Sequence, residues 1–387
     1  MKRWIGWVLL VLVFGCLAAP EPLERIPAEQ MPQDEVPPDD TPDPEITEEI
    51  SSIFEIELPF TDGACEKPIF TEYFVEPSYV RQMGQVGTVH GSGQFTVERS
   101  YISVKGAEKI PIYAPMDLIL TRGAYYQVPA PNDEFLGEPL PDYVLYFDVG
   151  CGVEIAWGHL KEVVPEIARQ FSTPKADSRT EELQPVEFKA GDLIGYFIPN
   201  AGVASFDFIA YDEDVTNQFA NQERHTYGYG DTLLHAVCPY DFYTTEKKEA
   251  YYGLIGAECG PISRDYPGTI SGLWFLDPEV NSWFYDYSQE GVYGSVLPIV
   301  GDVDRVIIGT IGNRRTTFIY PNEPTYRDPK EVTDAHCYQL HPEYNPSEKD
   351  GYIFFQLVDN ETLKVYYSET GECLEDFPAT GWETYYR

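Results

Sequence analysis

Positive charge is scarce in this sequence. Its 387 residues include 26 Lys and Arg against 64 Asp and Glu, which gives a formal net charge of −38. A surface this acidic repels the phosphates of nucleic acids and the headgroups of anionic lipids. We therefore expect no nucleic-acid partner, and we favour neutral or cationic ligands.

Several chemical signatures are missing as well. No two cysteines have the C-x-x-C spacing, so a zinc ribbon or a dithiol redox motif has no support. The sequence contains no G-x-S-x-G elbow and no glycine-rich phosphate loop, which argues against a Ser-His-Asp hydrolase and a nucleotide site. Pairs of carboxylates are abundant among so many acidic residues, so they are weak evidence for a glycosidase site.

The N-terminal apolar run is too short to cross a membrane. It covers residues 4–15, about a dozen residues against the roughly 20 that a membrane helix needs, and it follows Lys2 and Arg3. We interpret residues 1–15 as a signal peptide and Cys16 as a lipidation site, with cleavage near residues 18–20 as the alternative. Residues 16–52, rich in Pro and acidic residues, predict an extended tether. The expected location is the extracellular face of the cell membrane, held by the lipid anchor alone, or the secreted fraction.

Six cysteines remain after Cys16, and an even number in an exported protein indicates disulfides. Six cysteines allow 15 pairings. We expect Cys337 to pair with Cys373, because these two residues bracket a plausible hairpin.

The rest of the chain predicts an all-β fold. Short runs rich in Tyr, Phe, Ile and Val recur between turn signals, for example at residues 143–149. We expect a first β domain over residues 55–245 and a second over residues 250–387, divided at the charged stretch 246–249. The second domain is predicted to be a small antiparallel barrel or sandwich. Its expected strands lie at residues 269–276, 282–287, 295–300, 306–311 and 316–320, with a hairpin at 352–358 and 362–367. The only helix we expect is short, around residues 160–171.

Four motifs in the first domain follow one another in a specific order. They are IPIYAPMD at residues 110–117, GHL at 158–160, EFKAGDLIGY at 187–196 and SFDF at 205–208. The first three resemble, in order, spacing and local chemistry, motifs of the lysostaphin/LytM-type zinc metallopeptidases, whose β fold is called the duplicated hybrid motif. The fourth stands where that family has H-x-H-F. The resemblance covers roughly a third of the chain and implies that fold for the first domain.

The resemblance also implies a site. In that family, zinc is held by an H-x-x-x-D motif and by the second His of an H-x-H motif, with one position open for a nucleophilic water. Arg99 and Ser103 stand at the first motif here, and Ser205 and Asp207 at the second. An arginine cannot ligate a cation. His159 is retained at the position of a catalytic histidine that is not a ligand. We therefore expect no metal or other cofactor, and interpret these five residues as a binding site.

Other metal sets are weaker. His90, Glu98 and Asp207 could converge if the alignment were displaced by a residue or two. In two further groups the two histidines lack the i, i+4 spacing of the histidines on a zinc-binding helix. They are His225, Asp231 and His235, and His336, Cys337 and His341.

The sequence thus predicts an exported, noncatalytic protein that binds an envelope polymer, a glycan or a partner protein. One alternative is an active zinc metalloendopeptidase with substituted ligands. Another is a small-molecule carrier with a lipocalin-like second domain. Trp274, Trp283 and Trp382 are candidate sugar platforms, although we favour a role in sheet packing for these aromatics.

Overall fold

A computed structural model of the chain describes residues 65–89, 98–106, 109–128, 140–175, 178–199, 205–226, 229–279, 296–303, 305–309, 317–340 and 351–387. Within these ranges the protein is mostly β, as expected from the sequence. The strands form three sheets, and every pair of neighbouring strands is antiparallel.

The strands are β1 (Val80–Met83), β2 (Arg99–Val104), β3 (Ile110–Tyr113), β4 (Leu118–Val128), β5 (Leu140–Gly150), β6 (Val153–Leu160), β7 (Glu162–Val163), β8 (Glu181–Phe188), β9 (Leu193–Phe197), β10 (Ser205–Asp212), β11 (Gly272–Phe275), β12 (Val296–Gly301), β13 (Val306–Ile308), β14 (Thr317–Ile319), β15 (Ala335–Gln339), β16 (Tyr352–Asp359), β17 (Thr362–Ser368) and β18 (Glu383–Tyr386). The helices are α1 (Pro165–Ala168), α2 (Tyr229–His235) and α3 (Thr245–Ile255).

The first large sheet has seven strands in the order β1-β2-β10-β6-β5-β4-β8. Side chains alternate between its two faces, because successive residues of a strand point in opposite directions. One face packs into an apolar core in which the Phe74 and Phe208 rings are 4.3 Å apart and Trp157 stacks on Phe208 at 5.7 Å. The opposite face carries the polar side chains described below. A small sheet, β3-β9-β7, completes this part of the fold.

The second large sheet has eight strands in the order β14-β13-β12-β11-β18-β17-β16-β15 and curls into a nearly closed barrel. Among the described residues, 15 buried apolar side chains form its core, including Trp274, Tyr338 and Phe355. The predicted hairpin is present: Asn360 and Glu361 join β16 to β17, and the Asp359 carboxylate accepts a hydrogen bond from the Glu361 amide at 2.9 Å. The expected strand at residues 282–287, and Trp283 within it, lie outside the described residues.

The charged stretch 246–249 is helical. It belongs to α3, which ends at Gly256 with φ 87°, the left-handed conformation common after a helix C-terminus. Tyr251 and Ile255 of this helix join the first core, as does Ile262, whereas the second core begins at Ile270. The described residues belong to one compact unit, so the division into two domains stays a prediction.

Three disulfides are present. Cys65 is bonded to Cys151, Cys238 to Cys259, and Cys337 to Cys373, the pairing expected from the sequence. The Cys238–Cys259 disulfide links the segment before α3 to the segment after it. Such bonds are typical of proteins outside the reducing cytosol.

In the described part of the chain, no helix combines the length and the apolar character needed to cross a bilayer. The signal peptide at 1–15, Cys16 and the tether at 16–52 fall outside that part, and these assignments stay predictions.

Candidate functional site

The face of the seven-stranded sheet that points away from the core is polar at its centre. Arg99, Tyr101 and Ser103 alternate with buried residues along β2. Ser205 and Asp207 share the same face of β10, where Asp207 is itself buried. The strand register places Tyr101 opposite Asp207, and Ser103 opposite Ser205. We call this surface the polar face.

An arginine lies between two buried carboxylates on this face. The Arg99 guanidinium donates to Asp207 Oδ2 at 2.9 Å and contacts Glu98 Oε1 through two of its nitrogens. Glu98 and Asp207 are each 1% exposed. Guanidinium–carboxylate bonds of this kind are charge-assisted and strong, and an arginine keeps its charge in nearly every environment.

His159 reaches the same place because of a β-bulge. Tyr143 and Leu145 of β5 pair with Leu160 and Trp157 of β6, so β6 carries one extra residue. His159 has φ 66°, a left-handed conformation that is uncommon outside glycine. Such backbone strain persists only where the surrounding structure imposes it, and it is concentrated at functional sites.

The imidazole of His159 lies between two carboxylates. Its Nδ1 is 3.0 Å from Asp142 Oδ2, and its Nε2 is 3.7 Å from Asp207 Oδ2. The neighbouring Gly158 makes room for this arrangement, since a Cβ there would lie 3.0 Å from Asp207 Oδ2. Lys161 donates to the same Asp142 oxygen at 2.7 Å, although both side chains are almost fully buried.

These contacts define an ion cluster: Glu98, Arg99, Asp142, His159, Lys161 and Asp207. Its three carboxylates face two permanent cations, so a proton on His159 would balance the charge. Burial lowers the pKa of His159, but the hydrogen bond to Asp142 and the charges of Asp207 and Asp142 outweigh it and raise the pKa above 6.5. Tyr126 stays protonated beside the cluster, since burial and then the charges of Asp142 and Asp207 raise its pKa.

The ion cluster leaves hydrogen-bond acceptors unused. Glu98 Oε2 and Asp207 Oδ1 are buried and have no hydrogen-bond partner among the described residues. Buried polar atoms are nearly always paired, because an unpaired one costs about 1–3 kcal/mol.

The structure brings together three of the five residues expected to form the site. Arg99, His159 and Asp207 meet in the ion cluster, whereas Ser103 and Ser205 form the next row of the polar face and do not contact the ions. Sequence reasoning missed Asp142 and Lys161. The only signal for them is a charged residue within or directly after an apolar β run.

The described residues do not contain three or more His, Cys, Asp or Glu side chains grouped so that they could hold a metal ion. Glu98 and Asp207 are instead joined through Arg99, and His90 lies outside the described ranges.

The weaker metal candidates have other roles. His225 stacks on Phe219 at 3.6 Å between ring centroids, and burial followed by the charge of Arg224 lowers its pKa to about 3. His235 contacts the Val215 carbonyl and His336 that of Thr325. Cys337 is used in its disulfide. The side chain of Asp231 and all of His341 lie outside the described residues.

Two of the three tryptophans can be placed. Trp274 is fully buried and donates to the Ile270 carbonyl at 2.9 Å, so it is a core residue rather than a sugar platform. Trp382 packs on Phe377 with Lys364 above its ring.

A scan against protein-family models and searches of curated proteins and of solved structures find no match to this chain. The site is therefore interpreted from its own geometry.

Proposed function

We propose that this protein is an exported, noncatalytic binding protein whose polar face recognises a cell-envelope polymer, a glycan or a partner protein. One observation carries the proposal: the Arg99 guanidinium lies between Glu98 and Asp207. A permanent cation already neutralises the carboxylates that a metal ion would need, and its charge would repel that ion.

The likeness to LytM-type peptidases supports the same interpretation. Arg99 and Asp207 stand at two positions that hold zinc in those enzymes, and here they bind each other at 2.9 Å. His159, at the position of the catalytic histidine, is hydrogen-bonded to Asp142 instead of facing a metal-bound water. If an ion pair has replaced the metal in a peptidase-like fold, the domain could still bind a polymer in its groove but would no longer hydrolyse it.

Export is supported by the three disulfides, which are typical of oxidising compartments. Cys16 as a lipid anchor and residues 16–52 as a tether would hold the binding domain away from the membrane surface.

The two alternatives have less support. An active metalloendopeptidase would require Arg99 to leave both of its carboxylate partners. A carrier would require an apolar cavity within the second sheet, where 15 buried apolar side chains of the described residues form the core.

Sedimentation with insoluble peptidoglycan tests the proposal. The purified protein should pellet with the polymer and release no soluble fragments. The Ser205→Trp variant, which places a large ring beside Asp207, should pellet less. Ser78→Trp, at an exposed serine away from the polar face, is the matched control and should bind as the wild type does. Release of fragments, or equal pelleting of all three proteins, would contradict the proposal.

A further inference from the structure

A cleft of about 480 Å³ adjoins the polar face. It lies where β1 and β2 of the first sheet approach β13 and β14 of the second, with Ile255 at the end of α3 between them. Its volume falls within the roughly 300–1,000 Å³ that small-molecule sites occupy in proteins.

The wall formed by the first sheet continues the polar face. Gln82, Ser103 and Ser205 face one another across β1, β2 and β10, and Tyr101 is the neighbour of Asp207 in the next row. Gln82, Tyr101 and Ser103 line the cleft. The side chains of Gln82, Ser103 and Ser205 have no hydrogen-bond partner within the described ranges, so their amide and hydroxyl groups are available to a ligand.

The wall formed by the second sheet contains an aromatic ring, Phe318, and one pair of opposite charges, Arg305 and Asp302. Arg305 lies over the Phe318 ring, 5.1 Å from its centroid, and pairs with Asp302 at 3.5 Å. These two are the only charged residues among the described side chains that line the cleft. The lining therefore carries no net charge.

We propose that this cleft binds a neutral oligosaccharide. Amide and hydroxyl side chains exchange hydrogen bonds with sugar hydroxyls, while the Tyr101 ring offers apolar surface to the C–H face of a sugar ring. The absence of net charge gives no attraction to a polyanion, and the net charge of −38 on the whole chain repels one.

A peptide ligand is less well matched. Peptides commonly bind by adding a strand to a sheet edge, and β1 is the edge strand here. However, β1 has only four residues, and its pairing with β2 is interrupted between Val80 and Gln82. Such an irregularity disrupts the continuous ladder of main-chain groups that an added strand needs. Side-chain recognition of a hydroxyl-rich ligand fits the cleft better.

Calorimetric titration with defined ligands tests this inference, which rests on the proposed function because it names the ligand class. The neutral probes are chitotetraose and cellotetraose, the anionic probe is tetragalacturonate, and the peptide probe is acetylated, amidated tetra-alanine. At least one neutral tetrasaccharide should bind saturably at millimolar concentration, and the other two probes should bind more weakly or not at all.

Ser103→Trp should fill the cleft and weaken binding by about tenfold or more, equivalent to about 1.4 kcal/mol. Ser78→Trp is the control and should bind as the wild type does. Gln82→Ala, at an exposed residue, removes one amide without adding bulk and should weaken binding even if Ser103→Trp fails to fold. No binding of either neutral sugar, tighter binding of the peptide, or unchanged affinity in both cleft variants would overturn the inference. If peptidoglycan sedimentation persists in that case, the proposed function stands and only the ligand class is wrong.

Discussion

Each of the two large sheets carries an arginine–aspartate pair, and the two pairs differ in burial and in hydrogen bonding. Beside the second sheet, Arg387 and Asp265 are 1% and 2% exposed and meet at 2.6 Å. All three guanidinium nitrogens of Arg387 donate, since Asn360, Thr269 and Ser271 supply carbonyl acceptors. The second oxygen of Asp265 accepts from the Ala220 amide at 2.7 Å.

The pair on the first sheet is incompletely satisfied. Asp207 accepts from Arg99 through one oxygen only, and its other oxygen has no hydrogen-bond partner in the described part of the chain. The same is true of one oxygen of Glu98. A fully paired ion group has no acceptor left for another donor, whereas one with unused acceptors can accept a further hydrogen bond. This difference supports the proposal that the binding site lies on the first sheet.

We expect the largest loss of stability when the fully hydrogen-bonded pair, Arg387 and Asp265, is broken. Asp265→Asn leaves the buried Arg387 without a counter-ion, so the free energy of unfolding should fall by about 3–5 kcal/mol. Asp207→Asn should cost only about 1 kcal/mol, because Arg99 keeps Glu98 as its partner. Urea denaturation of both variants measures this difference, with Glu166→Gln in the exposed pair on α1 as a control expected to change stability by less than about 1 kcal/mol. Equal losses in the two aspartate variants would remove the distinction between the sheets.

A pH dependence of stability should come from the ion cluster. His159 has a folded pKa above its unfolded value of 6.5, so protonation stabilises the folded state. That stabilisation is fully present below pH 6.5 and is lost as the pH rises through the folded pKa. Each pH unit between the two pKa values corresponds to about 1.4 kcal/mol.

The measurement is the difference in unfolding free energy between the wild type and His159→Gln as a function of pH. Subtraction removes the contributions of His225 and His336, whose pKa values burial lowers. The difference should shrink as the pH rises above 6.5, and a difference independent of pH would contradict the assigned role of His159.

The smallest expected change in stability is at a serine of the polar face, and a second serine of the first sheet serves as the comparison. Ser100 faces the core, where its hydroxyl donates to the Gly84 carbonyl at 2.6 Å and accepts from Tyr240 at 2.7 Å. Ser100→Ala should cost about 1–3 kcal/mol because it leaves buried groups unpaired. Ser205→Ala on the polar face should change stability by less than about 0.5 kcal/mol. Thermal denaturation of both proteins checks this, and a large loss at Ser205 would assign that residue a structural role.

Local sequence signals predicted many of the strands but not all elements. The hairpin at residues 352–367 follows from alternating aromatic and aliphatic residues around an Asp-Asn-Glu turn. Helix α3 was missed because its four consecutive charges resemble a linker. Thr244 before the helix and Gly256 after it are positional signals for its two ends.

The site was only partly predictable, for a geometric reason. Arg99, His159 and Asp207 stand in recognisable motifs. Asp142 and Lys161 join them only through the register of β5 and β6 and the bulge at His159. A bulge changes which side chains share a face, and nothing in the local sequence specifies its position.

The zinc content of the purified protein tests the central claim most directly, namely that Arg99 supplies the cation of this site. The protein would be dialysed against trace zinc and measured by elemental mass spectrometry, beside Asp207→Ala and His159→Ala. The account predicts that none of the three proteins retains zinc. About one zinc per wild-type chain that is lost in both variants would contradict it and indicate a working metallopeptidase site.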